Sequence, residues 1–326
     1  AHFQCFLIGF IVLAFFVLPI SLIANNNKSA LSDRTQISVT IGAGNLVGRV
    51  PVDMSYRTSL FETIYLATEM NAAGTITDIM FYNNFESNLT DKPTQIWLGE
   101  TLSENLTNGW IPASQLTQVF ADNVNYPSGI NTITIHLTNP YNYRGGNLVM
   151  LVYRPWEEDF YWMNQDLFAC QINGDNRSLV TYNNNTQISP DNPPTTGVIG
   201  LFPKTTFLIN VDGMGSLSGN VSSSGIPLEG ARVQIEDSPL YRITGANGNY
   251  SFPYIQPGTY TITASKLGYN PQSHTVTILA GQSATQNFAL TGIPEVTVEG
   301  RVVGSDAPNV GIANATVSFT GYADYT

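Results

Sequence analysis

The chain has 326 residues, 43% of them hydrophobic and 11% charged, with a formal net charge of −11. The length accommodates two domains or slightly more, and the apolar content excludes wholesale disorder. The 13 Lys and Arg residues form no basic run, which sets nucleic acid aside as a partner, because affinity for phosphate backbones needs clustered positive charge.

Phe6 to Ile23 is almost continuously apolar and gives way to the polar Asn25-Asn26-Asn27-Lys28. Such a segment lies at the lower edge for a membrane span. Residues 1–24 read as a signal peptide cleaved after Ala24, although Leu22 is a poor match to the small-x-small rule. A retained apolar anchor is the alternative, and membrane contact is expected only through that segment. Residues 25–35 read as a polar linker. Cys5 lies in the leader and Cys170 is alone in the remainder. A cleaved chain therefore has no internal disulfide, and Cys170 reads as a small buried hydrophobe.

Residues 36–211 have strand periodicity. Ile37, Val39 and Ile41 alternate with polar residues, as do Ile133, Ile135 and Leu137, the mark of strands with one buried face. Ser59 to Asn71 reads as a strand through Tyr65 followed by a short helical turn that ends at Ala72-Ala73-Gly74. Leu148 to Tyr153 is apolar on both faces, which predicts a central strand covered on both sides. Asn173 to Thr196, rich in Asn, Pro, Thr and Ser, reads as a long loop with a short hairpin around Leu179 to Tyr182. Phe207, Ile209 and Val211 close the region. Many strands with turn punctuation predict a sandwich or jelly roll.

After a Gly-rich linker at 212–215, strands alternate with tight turns at Gly225-Ile226-Pro227, Ala246-Asn247-Gly248-Asn249-Tyr250, Gln256-Pro257-Gly258 and Leu267-Gly268-Tyr269. Gly248 is expected in the left-handed region. Leu217-Ser218-Gly219-Asn220-Val221 and Gly230-Ala231-Arg232-Val233 are echoed roughly 80 residues later by Val298-Glu299-Gly300-Arg301-Val302 and Asn314-Ala315-Thr316-Val317, a period that signals tandem modules. The second copy, from 296 to 326, covers about two strands, too few to bury a core. The parent protein is therefore expected to continue beyond Thr326.

Residues 216–291 resemble the carboxypeptidase regulatory-like domain. The resemblance is carried by Leu217 to Val221, Pro227 to Val233, Thr244 to Phe252, Pro257 to Tyr260 and Gly268-Tyr269; Gly245 departs from the Asp usual in that family. The resemblance implies a seven-stranded, Greek-key, transthyretin-like β-sandwich of accessory, non-catalytic role, with carbohydrate binding implied by analogy of fold alone. Residues 36–211 resemble more loosely the jelly-roll domains of large secreted bacterial surface proteins, through Ala72 to Ile79, Trp110-Ile111-Pro112, Gln118-Val119-Phe120 and Asn147-Leu148-Val149. The expected fold is thus all-β: a jelly-roll-like sandwich, a transthyretin-like sandwich and the start of a second copy.

No HExxH, GxSxG, Walker loop or CxxC pair is present, which argues against catalysis by those routes. His136 and His274 fall on strands without ligand-spaced partners. Trp97 and Trp110 read as packing residues. The strongest candidate surface is Tyr153 to Trp162, where Trp156, Glu157, Asp159, Tyr161 and Trp162 combine aromatic faces with acids. Sugars dock on aromatic faces while acids and amides bond their hydroxyls. The same acids could hold a structural Ca²⁺, which prefers oxygen ligands, or the segment is a solvated acidic turn. Asn-x-Ser/Thr sequons, among them Asn88, Asn105 and Asn249, arise by chance in a chain this rich in Asn, Ser and Thr. The reading is an exported, non-catalytic module of a bacterial cell surface or secreted protein, with a glycan or another surface protein as partner. The alternative is a set of accessory domains of a secreted protease or glycosidase whose catalytic domain lies elsewhere in the protein.

Overall fold

The alternating apolar residues assemble into two-layer β-structure. The computed structural model describes residues 35–161, 163–172, 176–194, 198–199, 201–294, 297 and 299–317. The predicted leader and most of the linker after it lie outside the described residues. Among those described, no helix is long and apolar enough to cross a membrane.

The first region contributes β1 (Gln36–Ile41), β2 (Leu46–Gly48), β3 (Thr58–Tyr65), α1 (Ala67–Met70), β4 (Gly74–Phe85), β5 (Leu89–Thr101), β6 (Thr117–Tyr126), β7 (Gly129–Tyr143) and β8 (Asn147–Arg154). It continues with β9 (Leu167–Ile172), β10 (Ser178–Asn183), β11 (Val198–Ile199), β12 (Leu201–Pro203) and β13 (Thr205–Asn210). One antiparallel sheet is built around β4, with β7 on one edge and β13 followed by β1 on the other; β9 continues past β13 and carries β2 and β12. The facing sheet runs β11-β10-β3-β8-β5-β6. Between them lies an apolar core that includes Phe61, Tyr65, Ile79, Phe81, Ile135, Met150, Val152, Phe168 and Phe207. Its aromatic rings meet edge-on, as Phe85 and Phe168 do at 5.0 Å between centroids, a favoured geometry for their quadrupoles.

β3 and β8 are buried along their whole length, the two-sided cover expected of Leu148 to Tyr153. The segments 102–116 and 184–194 fold over the outer face of the second sheet. There Leu106, Trp110, Ala113 and Ile188 pack on Leu60, Ile64, Trp97 and Leu151. Trp110 Nε1 donates to Pro194 O at 3.0 Å and ties the two covering segments together. The strand-then-turn reading of Ser59 to Asn71 matches β3 and α1. The segment around Leu179 to Tyr182 differs: β10 is a full strand of the sheet, paired with β3 from Thr58 to Thr63. Leu179 and Ser178 are buried there, so sheet and cover capture a segment whose polar composition reads as loop.

The next strands are β14 (Gly215–Ser223), β15 (Ile226–Pro227), β16 (Arg232–Ile235), β17 (Tyr241–Ile243), β18 (Asn249–Ile255), β19 (Gly258–Ser265), β20 (Tyr269–Asn270), β21 (Gln272–Ile278), β22 (Ser283–Thr285), β23 (Phe288–Ala289) and β24 (Thr291–Gly292). β18, β14 and the interrupted β22/β23 form one layer, and β17-β16-β19-β21 the other. Reading β22/β23 as one strand leaves three strands facing four, the seven-stranded arrangement expected. Val233, Ile235, Ile262, Val276, Ile278, Phe288 and Leu290 are all buried in the core between them. Gly219 sits where β22 gives way to β23, and a Cβ there would lie 1.8 Å from Gln286 O, so no larger residue fits. Gly248 has φ +73°, and its Cβ would lie 2.5 Å from Val221 O. These two contacts explain why glycine recurs at the strand-Gly-strand and Asn-Gly-Asn positions.

In the described part of the repeated segment, residues 299–317, pairing is confined to an isolated bridge between Val303 and Gly311. Val302, Val310, Ile312 and Val317 are exposed. Among these described residues no strand forms.

Helix α1 links the sandwiches: Ala67 joins the core of the second, Arg242 donates to Asn71 Oδ1, and Gln256 Nε2 donates to Asn142 Oδ1 at 2.9 Å. The second sandwich nonetheless draws its core from its own strands. Residues 216–291 expressed alone are expected to unfold cooperatively on heating, with a near-ultraviolet circular dichroism signal; a gradual transition with no such signal would show that the first sandwich is needed for folding.

Candidate functional site

At the end of β8 the chain leaves the sheet and must hold a charged, aromatic loop against a buried guanidinium. Arg154 is fully buried. It donates to Tyr56 O, to Glu157 Oε2 at 2.5 Å and to Asp159 O at 3.1 Å. Lys92 Nζ donates to the other Glu157 oxygen at 3.0 Å and lies 5.3 Å from the centre of the Tyr161 ring. Burial alone would lower the Lys92 pKa, but the Glu157 carboxylate and the Tyr161 hydroxyl together outweigh it and hold the ammonium above its ordinary range. Two main-chain bonds complete the anchorage: Glu157 N to Arg57 O at 2.9 Å and Tyr161 N to Met54 O at 2.8 Å.

The second layer of the site is Arg57. Its guanidinium carbon lies 5.3 Å from the Trp156 ring centre and 5.5 Å from that of Phe160, within reach of the cation–π attraction. Arg57 also pairs with Glu158 at 3.2 Å, and Trp156 Nε1 donates to Glu158 Oε1 at 3.1 Å. Beside this stack opens a cleft of about 640 Å³ lined by Arg49, Asp53, Ser55, Tyr56, Phe160, Tyr182 and Asn184. Tyr56 and Tyr182 stack at 3.9 Å with 22° between their planes. Burial holds the Asp53 carboxyl above the usual carboxylate range, against two hydrogen bonds from Ser55 and the nearby Arg49 charge.

The structure places the residues singled out from the sequence in different roles. Trp156 flanks Arg57 at the surface. Glu157 turns inward to two cations. Asp159 is exposed and uses its carbonyl. Tyr161 is half-buried and packs on the sandwich core. Trp162 lies outside the described residues. The three consecutive acids do not converge, and among the described residues no group of three His, Cys, Asp or Glu is placed to hold a metal ion. Tyr56, Arg57 and Tyr182 were not signalled by the sequence, because they come from the β3 approach and from β10. Phe160 lies inside the Tyr153 to Trp162 stretch, and its place beside Arg57 comes from the fold.

Other candidates are structural. The Cys170 thiol is buried and pushed up to about 12 by desolvation, so it is not a thiolate at neutral pH. His136 pairs with Asp78 across β7 and β4, and His274 lies 5.4 Å from the Phe288 ring. Thr244 is buried, accepts from Ala231 N at 2.9 Å and donates to Leu228 O at 2.6 Å, which ties the turn to the sandwich at the position before Gly245.

Fold and site together define an all-β protein of successive sandwiches with an aromatic–arginine cleft on the first. The second sandwich, residues 216–291, matches the carboxypeptidase regulatory-like domain family. No curated protein matches the chain. Among solved structures, a type II cohesin–X-dockerin complex from Acetivibrio cellulolyticus is similar over 24% of this chain and 58% of its own, with 18% identity and a TM-score of 0.22. A minor pilin from Streptococcus agalactiae is 12% identical over 71% of this chain and 88% of its own, with a TM-score of 0.24. The major pilin SpaD from Corynebacterium diphtheriae is 10% identical over 73% of this chain and 66% of its own, with a TM-score of 0.23. At these identities and scores the likenesses carry no argument about ligand or partner.

Proposed function

We propose that this chain is a non-catalytic binding region of an exported bacterial surface protein and that its first sandwich binds glycan beside the 155–161 loop. The observation that carries the reading is the set of half-exposed aromatic rings, Trp156, Phe160, Tyr56 and Tyr182, held around Arg57 at the mouth of a cleft. Large rings of this kind usually complete a core, and a rigidly held group of them at the surface is the composition of a contact site. The Arg154–Glu157–Lys92 arrangement supplies the rigidity, so little conformational freedom is lost when a ligand docks.

A glycan array probed with the folded chain, with and without calcium, tests this. Binding is expected, and Trp156→Ala should weaken it by about 1–3 kcal/mol, the range for loss of a base stacked on an aromatic side chain. A blank array, or undiminished binding by the variant, would remove the assignment. Calcium-dependent binding would count against this site, because the loop acids do not converge.

A further inference from the structure

We infer that the cleft between Phe160 and the Tyr56–Tyr182 stack takes one ring of a neutral sugar, with Asp53 and Asn184 gripping a pair of adjacent hydroxyls. The inference rests on the glycan reading above and assigns its ligand class and its contact residues.

The volume falls within the range of small-molecule sites. The polar groups in it are held from behind and presented forward. Asp53 Oδ1 accepts from Ser55 N at 2.9 Å, and Asp53 N donates to Ser59 Oγ at 3.1 Å. Ser55 holds the carboxylate from one side, and beyond Ser55 and the distant Arg49 its oxygens have no hydrogen-bond partner among the described residues. Asn184 Oδ1 accepts from Arg57 N at 2.9 Å, which sets the amide so that its two N–H donors point away from the main chain. Arg49 makes contacts at the long limit: 3.4 Å to Asn164 O and 4.0 Å to Asp53 Oδ1. A carboxylate, an amide donor and a guanidinium beside flat rings suit a vicinal diol. One hydroxyl donates to Asp53, the other accepts from Asn184, and the C–H face of the ring lies on an aromatic face. Tyr182, 47% exposed, offers that face at the mouth.

Charge decides between neutral and anionic sugars. The Arg49 cation is opposed by the Asp53 carboxylate within the same cleft, and the neighbouring Arg57 is opposed by Glu158. An anionic sugar would meet no unbalanced positive charge and would be repelled by Asp53.

The test is calorimetric titration of the whole chain with two probe sets, neutral gluco-, manno- and galacto-oligosaccharides and oligogalacturonates, at low and high salt. Neutral probes should bind with little salt dependence. Asp53→Asn should weaken binding by roughly ten- to a hundredfold, the loss of a charge-assisted hydrogen bond, and Tyr182→Ala should weaken it in the same direction. Tyr182→Ala keeps the test open if Asp53→Asn fails to fold. Preference for oligogalacturonate, lost on adding salt and in Arg49→Ala, overturns the neutral assignment. Neutral binding that Trp156→Ala abolishes and both cleft variants leave intact overturns the cleft while the glycan reading stands. Failure of every probe removes both.

Discussion

Replacing Glu62 by Gln is expected to flatten the dependence of stability on pH. Glu62 lies on β3, fully buried beneath the segment that covers the second sheet. Its Oε2 accepts from Ile111 N at 3.0 Å, and its Oε1 has no partner among the described residues. Its register partners across the sheet are Leu151 and Leu179, so nothing beside it compensates a charge. Burial raises its pKa from 4.5 to about 8, and the single backbone bond lowers it only in part. The sign follows from linkage. Below pH 4.5 both folded and unfolded chains carry the proton. Between 4.5 and about 8 the unfolded chain releases it and the folded chain keeps it, so stability falls as pH rises; above that window the contribution is constant. The slope is about 1.4 kcal/mol per pH unit inside the window. Urea unfolding of the native protein and of Glu62→Gln across this range should give a stability difference that shifts by several kcal/mol in favour of the variant as pH rises, other titrations cancelling. Parallel profiles would show that Glu62 is ionised in the folded chain.

Arg154→Met is expected to lower stability. The apolar stem is kept, but the guanidinium is gone, and Glu157 is left partly buried with Lys92 as its sole strong partner. Tyr56 O and Asp159 O lose their donor as well. Removing one member of a buried ionic group typically costs about 3–5 kcal/mol, because the remaining charge is stranded. Arg154→Lys should recover little, since one ammonium cannot reach three acceptors in the positions a planar guanidinium spans. Replacing Arg154, Glu157 and Lys92 together by apolar residues should recover most of the stability. Denaturant midpoints measure all three. A loss under about 1 kcal/mol in Arg154→Met would mean that the loop is held by its main-chain bonds and packing alone.

The elements that could be read in advance are those whose periodicity and burial agree. Leu148 to Tyr153 has no polar residue on either face, and only a strand covered on both sides accommodates that. Ser59 to Tyr65 ends where Ala67 to Met70 can make one helical turn before the glycine at 74. Asn173 to Thr196 misled because β10 contributes few apolar side chains; its place is decided by β3, which lies more than a hundred residues earlier. The site shows the same limit. Glu157, Glu158 and Asp159 look like one acidic patch in sequence. In the fold they part, because Arg154 and Lys92 draw the first inward, Arg57 draws the second sideways, and the third stays in solvent. Tyr182 reaches Tyr56 through a strand register that pairs it with Ser59, and local sequence carries no trace of that neighbour.

The parallel pairing of β14 with β22 and β23 bears on how the second sandwich would carry a load. Its first strand lies beside its last ones, from Ser216 opposite Ser283 to Ser222 opposite Ala289. Because the two run in the same direction, the point where the chain enters and the point where it leaves are at opposite ends of the shared ladder. Tension along the chain would slide these strands past each other, straining the interstrand hydrogen bonds together instead of opening them one by one. The same geometry that crowds Gly219 against Gln286 therefore makes the seam between entering and leaving strands a shear joint.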